Sequence, residues 1–249
     1  IAALSSCSTD VTKLDKEIAE SLEKNPNLIF HAIEKNPERF FEVVNRAAQD
    51  MKRVQYEKEM QARESEFRAD LEKPKRPKIT LERILEGRPG AKIEIVEYAD
   101  FQCPACAVAF QGMEEFKAKH KGDFLFVFKH MPLSFHKMAY PAALYFDAIK
   151  RIDKVKALQF YRSVYAHQER LTSEIELSKI AHEMGVKDSQ LKTLLKDKGL
   201  RELIEADMKE FSDFGFSGTP IVIMNGVALS GAHSAEDLEL AYKKMGHDL

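Results

Sequence analysis

The sequence predicts a mixed α/β domain carrying one inserted helical block, preceded by a separate all-α segment. Three observations predict it. Residues 9–72 show helical periodicity and no alternating apolar run. Residues 79–249 open on strand, helix and strand signals and close on a hairpin and a helix. Between those ends, residues 134–214 read as consecutive helices.

Composition bounds the rest. A hydrophobic fraction of 44% supplies a core, and 31% charged residues solvate the surface. With 38 Lys and Arg against 40 Asp and Glu, bulk charge gives no argument for nucleic acid or an anionic membrane as partner. No apolar run approaches the ~18 residues that span a bilayer. Only three cysteines are present, Cys7, Cys103 and Cys106, too few for a disulfide-stapled scaffold.

Residues 1–8, IAALSSCS, begin inside an apolar stretch and read as the tail of a secretory signal peptide. Leu4-Ser5-Ser6-Cys7 resembles the bacterial lipobox, whose cysteine becomes the lipidated first residue of the mature protein. On that reading Cys7 tethers an exported, periplasmic protein in an oxidising compartment. The alternative is a free cysteine in a tail.

In residues 9–72, Asp10 is placed to cap a first helix reaching about Lys24. The phrase Glu-Lys-Asn-Pro then occurs at 23–26 and again at 34–37. Asn as cap, with Pro at the first helical position, marks a helix start, because that position needs no donor. The spacing predicts helices over 26–34 and from 37 to about 72, the latter about 50 Å long. Phe40, Val44, Ala47, Met51 and Val54 follow the 4-3-4-3 spacing of a coiled-coil stripe. So narrow a stripe cannot bury itself, so self-association as a dimer or trimer through residues 9–72 is expected. Folding back on its own domain is the alternative. Residues 73–78, KPKRPK, hold two prolines and read as a basic, semi-extended linker.

Within 79–249, residues 92–98 alternate as a strand, 104–120 read as a helix and 124–129 as a second strand. Pro141, Gly185 and Gly199 punctuate the helical insert, with Tyr140, Leu144, Phe160 and Tyr161 as its core. Gly215 to Gly218 form a flexible approach to Pro220. Strands at 221–224 and 227–229 flank Asn225-Gly226, a tight-hairpin pair. Ser234 and Asp237 form a capping box for the last helix. His120 and His167 read as surface residues, and His136 has no assigned role.

Cys103-Pro104-Ala105-Cys106 directly follows a strand and opens a helix. Unpaired backbone N–H groups and the helix dipole stabilise a thiolate there. Cys103 is therefore expected as the exposed, low-pKa nucleophile. Cys106, one turn in, is expected to be more buried and to resolve a mixed disulfide by attacking Cys103. Two rival readings stand beside this. A structural disulfide over so few residues would constrain the unfolded chain little. A zinc site would recruit His130 and His136 across a 23-residue spacer, longer than finger spacing.

Three stretches in order resemble the DsbA-like thiol-disulfide oxidoreductases: 97–106 (EYADFQCPAC), 128–133 (FKHMPL) and Gly218-Thr219-Pro220. The resemblance covers about residues 85–249 and implies a thioredoxin fold with a helical insertion. It implies a redox-active Cys103–Cys106 disulfide with no other cofactor, Cys103 as nucleophile and Cys106 as resolving thiol. Pro220 matches the cis-proline whose loop lies against the pair, and Thr219 the residue whose backbone pairs with extended substrate. Glu97 matches a buried acid, whose raised pKa would let it exchange a proton with Cys106. Read from the strand alone, Glu97 could face either way. Ala105 replaces the histidine of the family's strongest oxidants, which implies a milder oxidant.

The layout of the helical extension is similar to the oligomerising stalks of the ScsC-like branch. Several tethered sites facing one cavity raise the effective concentration for the second engagement that isomerisation needs. The expectation is a periplasmic thiol-disulfide oxidoreductase with isomerase capability. It would act on unfolded or misoxidised exported proteins, with a membrane redox partner. A monomer-competent dithiol oxidase with a helical spacer, or a non-enzymatic exported lipoprotein, are the alternatives.

Overall fold

A computed structural model describes residues 11–246. Cys7 and the signal-like stretch 1–8 lie outside the described residues. The chain divides into two compact units between Arg63 and Glu64.

The first unit holds α1 (Val11–Lys24), α2 (Asn27–Lys35) and α3 (Pro37–Glu72) as far as Arg63. Among its described side chains none is buried, and Phe41, Met51 and Tyr56 are largely exposed. The expected asparagine caps form differently. Asn25 Nδ2 donates to Ser21 O at 3.4 Å and Asn36 Nδ2 to Ala32 O at 3.3 Å, so each amide closes the helix before it. The joints are too short for an extended N-cap: Pro26 is itself αR, and Asn36 sits at φ −137, ψ 54. Pro37 does open α3.

The second unit is built on a five-stranded sheet in the order β1-β3-β2-β4-β5. The strands are β1 (Ile84–Gly87), β2 (Ile93–Ala99), β3 (Phe124–His130), β4 (Ile221–Met224) and β5 (Val227–Ser230). β2 and β3 run parallel, joined through α4 (Pro104–Lys119); the other pairs are antiparallel. Every residue of β3 and β4 is buried, because helices cover both faces of the sheet. The insert supplies α5 (Ala139–Ile152), α6 (Lys154–Ala166), α7 (Glu174–Glu183), α8 (Asp188–Leu194) and α9 (Lys198–Asp213). α4, α5, α6 and the closing α10 (Ala235–Lys244) join the core on the Ile93–Ile95 face. Phe211 of α9 packs on the opposite face, against Val96, Tyr98 and Val127.

Local signals hold with two adjustments. Asn225 (φ 48) and Gly226 (φ 89) make the tight hairpin, and Ser234 with Asp237 the capping box. Leu144, Phe160 and Tyr161 are core. Pro141, however, lies inside the first turn of α5, where a missing N–H is harmless. Residues 73–78 do not hang free. Lys75 N donates to Gly226 O at 2.8 Å, Lys75 pairs with Asp70, and Asp70 Oδ2 accepts from Ala228 N at 2.9 Å. A Cβ on Gly226 would meet Pro74 Cβ at 2.6 Å, so the hairpin tip needs glycine for space as well as for φ.

Candidate active site

The loop entering the CPAC turn is fixed by Asp100. Its carboxylate is buried and accepts from Gln102 N (2.7 Å) and Leu133 N (2.8 Å), and it hydrogen-bonds His136 Nδ1 at 2.8 Å. Its carbonyl accepts from Cys103 N at 3.1 Å. Gln168 Nε2 donates to Phe101 O (2.8 Å) and Cys103 O (2.9 Å). Sequence reading missed both anchors. Asp100 lies inside the EYADFQCPAC stretch, whereas nothing local marks Gln168. The structure also gives His136 its role.

Cys103 occupies the N-cap of α4, with Pro104 in the first turn. At 7% exposure it is buried, not the exposed thiol expected. The reason is the loop above it: the Thr219–Pro220 peptide is cis, and Thr219 O lies 3.5 Å from Cys103 Sγ. The Cys103 thiol is lowered to about 5. Hydrogen bonding from the Cys106 thiol is the largest cause; the Thr219 hydroxyl and the N–H groups of Cys106 and Ala105 add to it, against burial. Thr219 Oγ1 is buried without a hydrogen-bond acceptor among the described residues, and it acts on both sulfurs. Cys106 is fully enclosed, and burial first, then its interaction with Cys103, pushes it far above the thiol range. The two cysteines thus differ in kind: the first is biased towards the thiolate and the second towards the neutral thiol.

Glu97 lies on the same face of β2 as Ile93 and Ile95 and is fully buried, which fixes the orientation its strand pattern left open. Its Oε2 accepts from Tyr161 Oη at 2.9 Å. Burial raises it to about 7, opposed by the Tyr161 hydrogen bond and the Lys117 charge.

The histidines are dispersed. His130 ends β3, buried 3.3 Å from Asp147, and burial lowers its pKa. His136 serves Asp100, so His130 and His136 have different partners. His120 is not a surface residue as expected; it packs between α4 and α10, 2.8 Å from Glu239. His167 is exposed.

The thioredoxin family model Thioredoxin_4 matches residues 79–244. The chain belongs to the thioredoxin family. Among curated relatives, the Na(+)/H(+) antiporter NhaA 1 of Mycolicibacterium gilvum is 27% identical over 160 residues, 62% of this chain and 25% of that protein. The chain therefore spans about a quarter of the length of such relatives. Among solved structures, the thiol-disulfide exchange protein alpha-DsbA2 from Wolbachia pipientis superposes with TM-score 0.57 at 21% identity, covering 65% of this chain and 84% of that one. Proteus mirabilis ScsC, in a transitional conformation, gives TM-score 0.55 at 16% identity over 98% of both chains. The fold of this family member is thus thioredoxin with a DsbA-like helical insertion, preceded by an N-terminal helical region.

Proposed function

We propose that the chain is a periplasmic protein thiol-disulfide oxidoreductase whose redox group is the Cys103–Cys106 pair itself. The observation that carries this reading is the division of labour between a stabilised Cys103 thiolate under the Thr219–Pro220 loop and an enclosed Cys106 thiol. Cys103 attacks a substrate disulfide, or in the oxidised state accepts attack by a substrate thiolate; Cys106 completes or releases the exchange. The edge of Thr219 pairs with the extended substrate chain. Substrates are unfolded or misoxidised exported proteins, and a membrane redox partner restores the working state.

Isomerase capability follows if residues 9–72 gather two or three copies. The exposed stripe of Phe40, Val44, Met51 and Val54 supports self-association, since α3 buries no side chain as far as Arg63 and an apolar stripe there gains its stability from a partner. Lipidation of Cys7 would add a membrane tether. The low Cys103 pKa favours a second reading, a plain dithiol oxidase with a helical spacer, because a stabilised thiolate makes the disulfide easier to reduce. Reactivation of a scrambled-disulfide enzyme, with wild type, Cys103→Ser and Val44→Asp at equal site concentration, separates them. Loss in both variants supports an oligomeric isomerase. Full dithiol oxidation by Val44→Asp, with weak reactivation by wild type as well, supports the oxidase. Unimpaired exchange by Cys103→Ser would sink the whole reading.

A further inference from the structure

The mechanism needs a proton acceptor for Cys106 and leaves open what sets that acceptor's readiness. Glu97 is fully buried, and its two oxygens differ. Oε2 is occupied by the Tyr161 hydroxyl at 2.9 Å. Oε1 is buried with no hydrogen-bond partner among the described residues. Tyr161 is itself fully buried and within electrostatic reach of both Glu97 and Cys106. Its ring is clamped by Phe110, Phe128 and Tyr165, at centroid distances of 5.4, 5.0 and 5.2 Å, so the hydroxyl has little freedom to turn away.

We propose that Tyr161 is the positioning residue of the exchange reaction: its hydroxyl holds Glu97 by Oε2 and leaves Oε1 as the atom that trades a proton with Cys106. This rests on the thiol-exchange reading above. In the reducing direction the Cys106 S–H bond breaks and an O–H bond forms at Glu97 Oε1. The Cys106 thiolate then attacks Cys103, forming the internal disulfide as the Cys103–substrate disulfide breaks. The substrate leaves as a thiolate with the bonding pair and takes its proton from water, so the substrate is reduced and the dithiol oxidised. In the oxidising direction the proton returns from Oε1 to the departing Cys106 sulfur.

Other groups act on Glu97 or on the phenols beside it. α4 brings Lys117 and Glu114; α6 brings Tyr161 and Tyr165, each of which also feels Cys106. The flanking strands offer only Phe128 and Val222 as direct neighbours in register. Lys117 is buried and shared between Glu86 and Glu114, which Arg162 also engages. That cluster supplies a standing field. Among the described residues, Tyr161 alone hydrogen-bonds the carboxylate. Donation to a carboxylate favours its ionised form, so losing the phenol should move the Glu97 titration upward by about one to two pH units.

The test is a pH-jump experiment on the full chain. Reduced protein is mixed with a disulfide-bonded peptide at low pH, jumped to a range of pH values, and release of the second peptide thiol is followed. Wild type should show a break near 7, the value to which Glu97 is raised. Tyr161→Phe should move that break up by about one to two units and slow release at pH 7 by roughly five-fold or more. In a Glu97→Gln background the Glu97 break is gone, and adding Tyr161→Phe should change nothing further. Site-specific 3-fluorotyrosine at 161 keeps the shape, strengthens the donor and should lower the break, which covers a poorly folding Phe variant. An unmoved break in folded Tyr161→Phe, or an equal shift with and without Glu97, overturns the role of Tyr161. Absence of any mixed disulfide at Cys103 in Cys106→Ser, where nothing resolves it, sinks the thiol-exchange reading instead.

Discussion

Replacing Thr219 by Val tests how much of the Cys103 thiolate is held from above. The substitution keeps the β-branched shape and the backbone carbonyl 3.5 Å from Cys103 Sγ, and removes only the buried hydroxyl. A hydrogen bond to a charged group contributes about 1.5–3 kcal/mol, or roughly one to two pKa units. The thiol, held at about 5, should therefore rise by about one to two units. The assay is the alkylation rate of Cys103 against pH, read by peptide mapping to separate it from Cys7. At pH 5 the variant should react about five- to fifty-fold more slowly; at pH 8, with Cys103 ionised in both, the rates should converge. The destabilised thiolate also makes the disulfide harder to reduce, by about 30–60 mV. Equal alkylation rates at pH 5 would refute the hydroxyl's part and leave Cys106 and the helix terminus to hold the charge.

Further outcomes follow from the same structure. Because the Cys103 pKa is depressed from 9.0 to about 5, reduced protein gains stability relative to oxidised protein as pH rises through that window and loses it as pH falls; paired melting curves from pH 5 to 9 should diverge upward. Gly112→Ala should destabilise strongly, by about 1–3 kcal/mol or more, since the added Cβ would meet His233 O at 2.2 Å where α4 crosses the start of α10; denaturant titration measures it. Arg83→Ala removes the guanidinium shared by buried Asp147 and Asp207, which keep His130 and Lys129 nearby, and should cost about 3 kcal/mol or more by the same titration. On the self-association proposed for residues 9–72, wild type should sediment as a dimer or trimer and Val44→Asp as a monomer; a monomeric wild type would refute that proposal.

Much of this was legible because the decisive features are local. Asn225-Gly226 dictates a hairpin through positive φ, Ser234 and Asp237 cap a helix within one turn, and CPAC after an apolar strand places a thiol at a helix terminus. What stayed hidden depends on residues distant in sequence. The orientation of Glu97 is set by Tyr161 across the sheet–helix interface. The burial of Cys103 comes from a loop more than a hundred residues on. Asp100 and Gln168 anchor the CPAC turn through backbone groups that no side-chain pattern reports. β1 was missed because ILEG is a short edge strand with an irregular register, entered through a single 3₁₀ turn. The linker composition of residues 73–78 does not report their attachment to the hairpin, because the hydrogen bonds from Lys75 and to Asp70 are equally non-local.

The central claim is that Cys103 is the nucleophile and Cys106 the resolving thiol. The most direct measurement is trapping with Cys106→Ser: the full-length variant is incubated with a disulfide-bonded peptide and mapped by mass spectrometry. A stable mixed disulfide at Cys103 is predicted, formed below the ordinary thiol range because the Thr219 hydroxyl and the backbone N–H groups at the helix terminus remain when the Cys106 thiol is replaced, and absent in Cys103→Ser. A variant that forms no adduct, or forms it only at strongly alkaline pH, would contradict it.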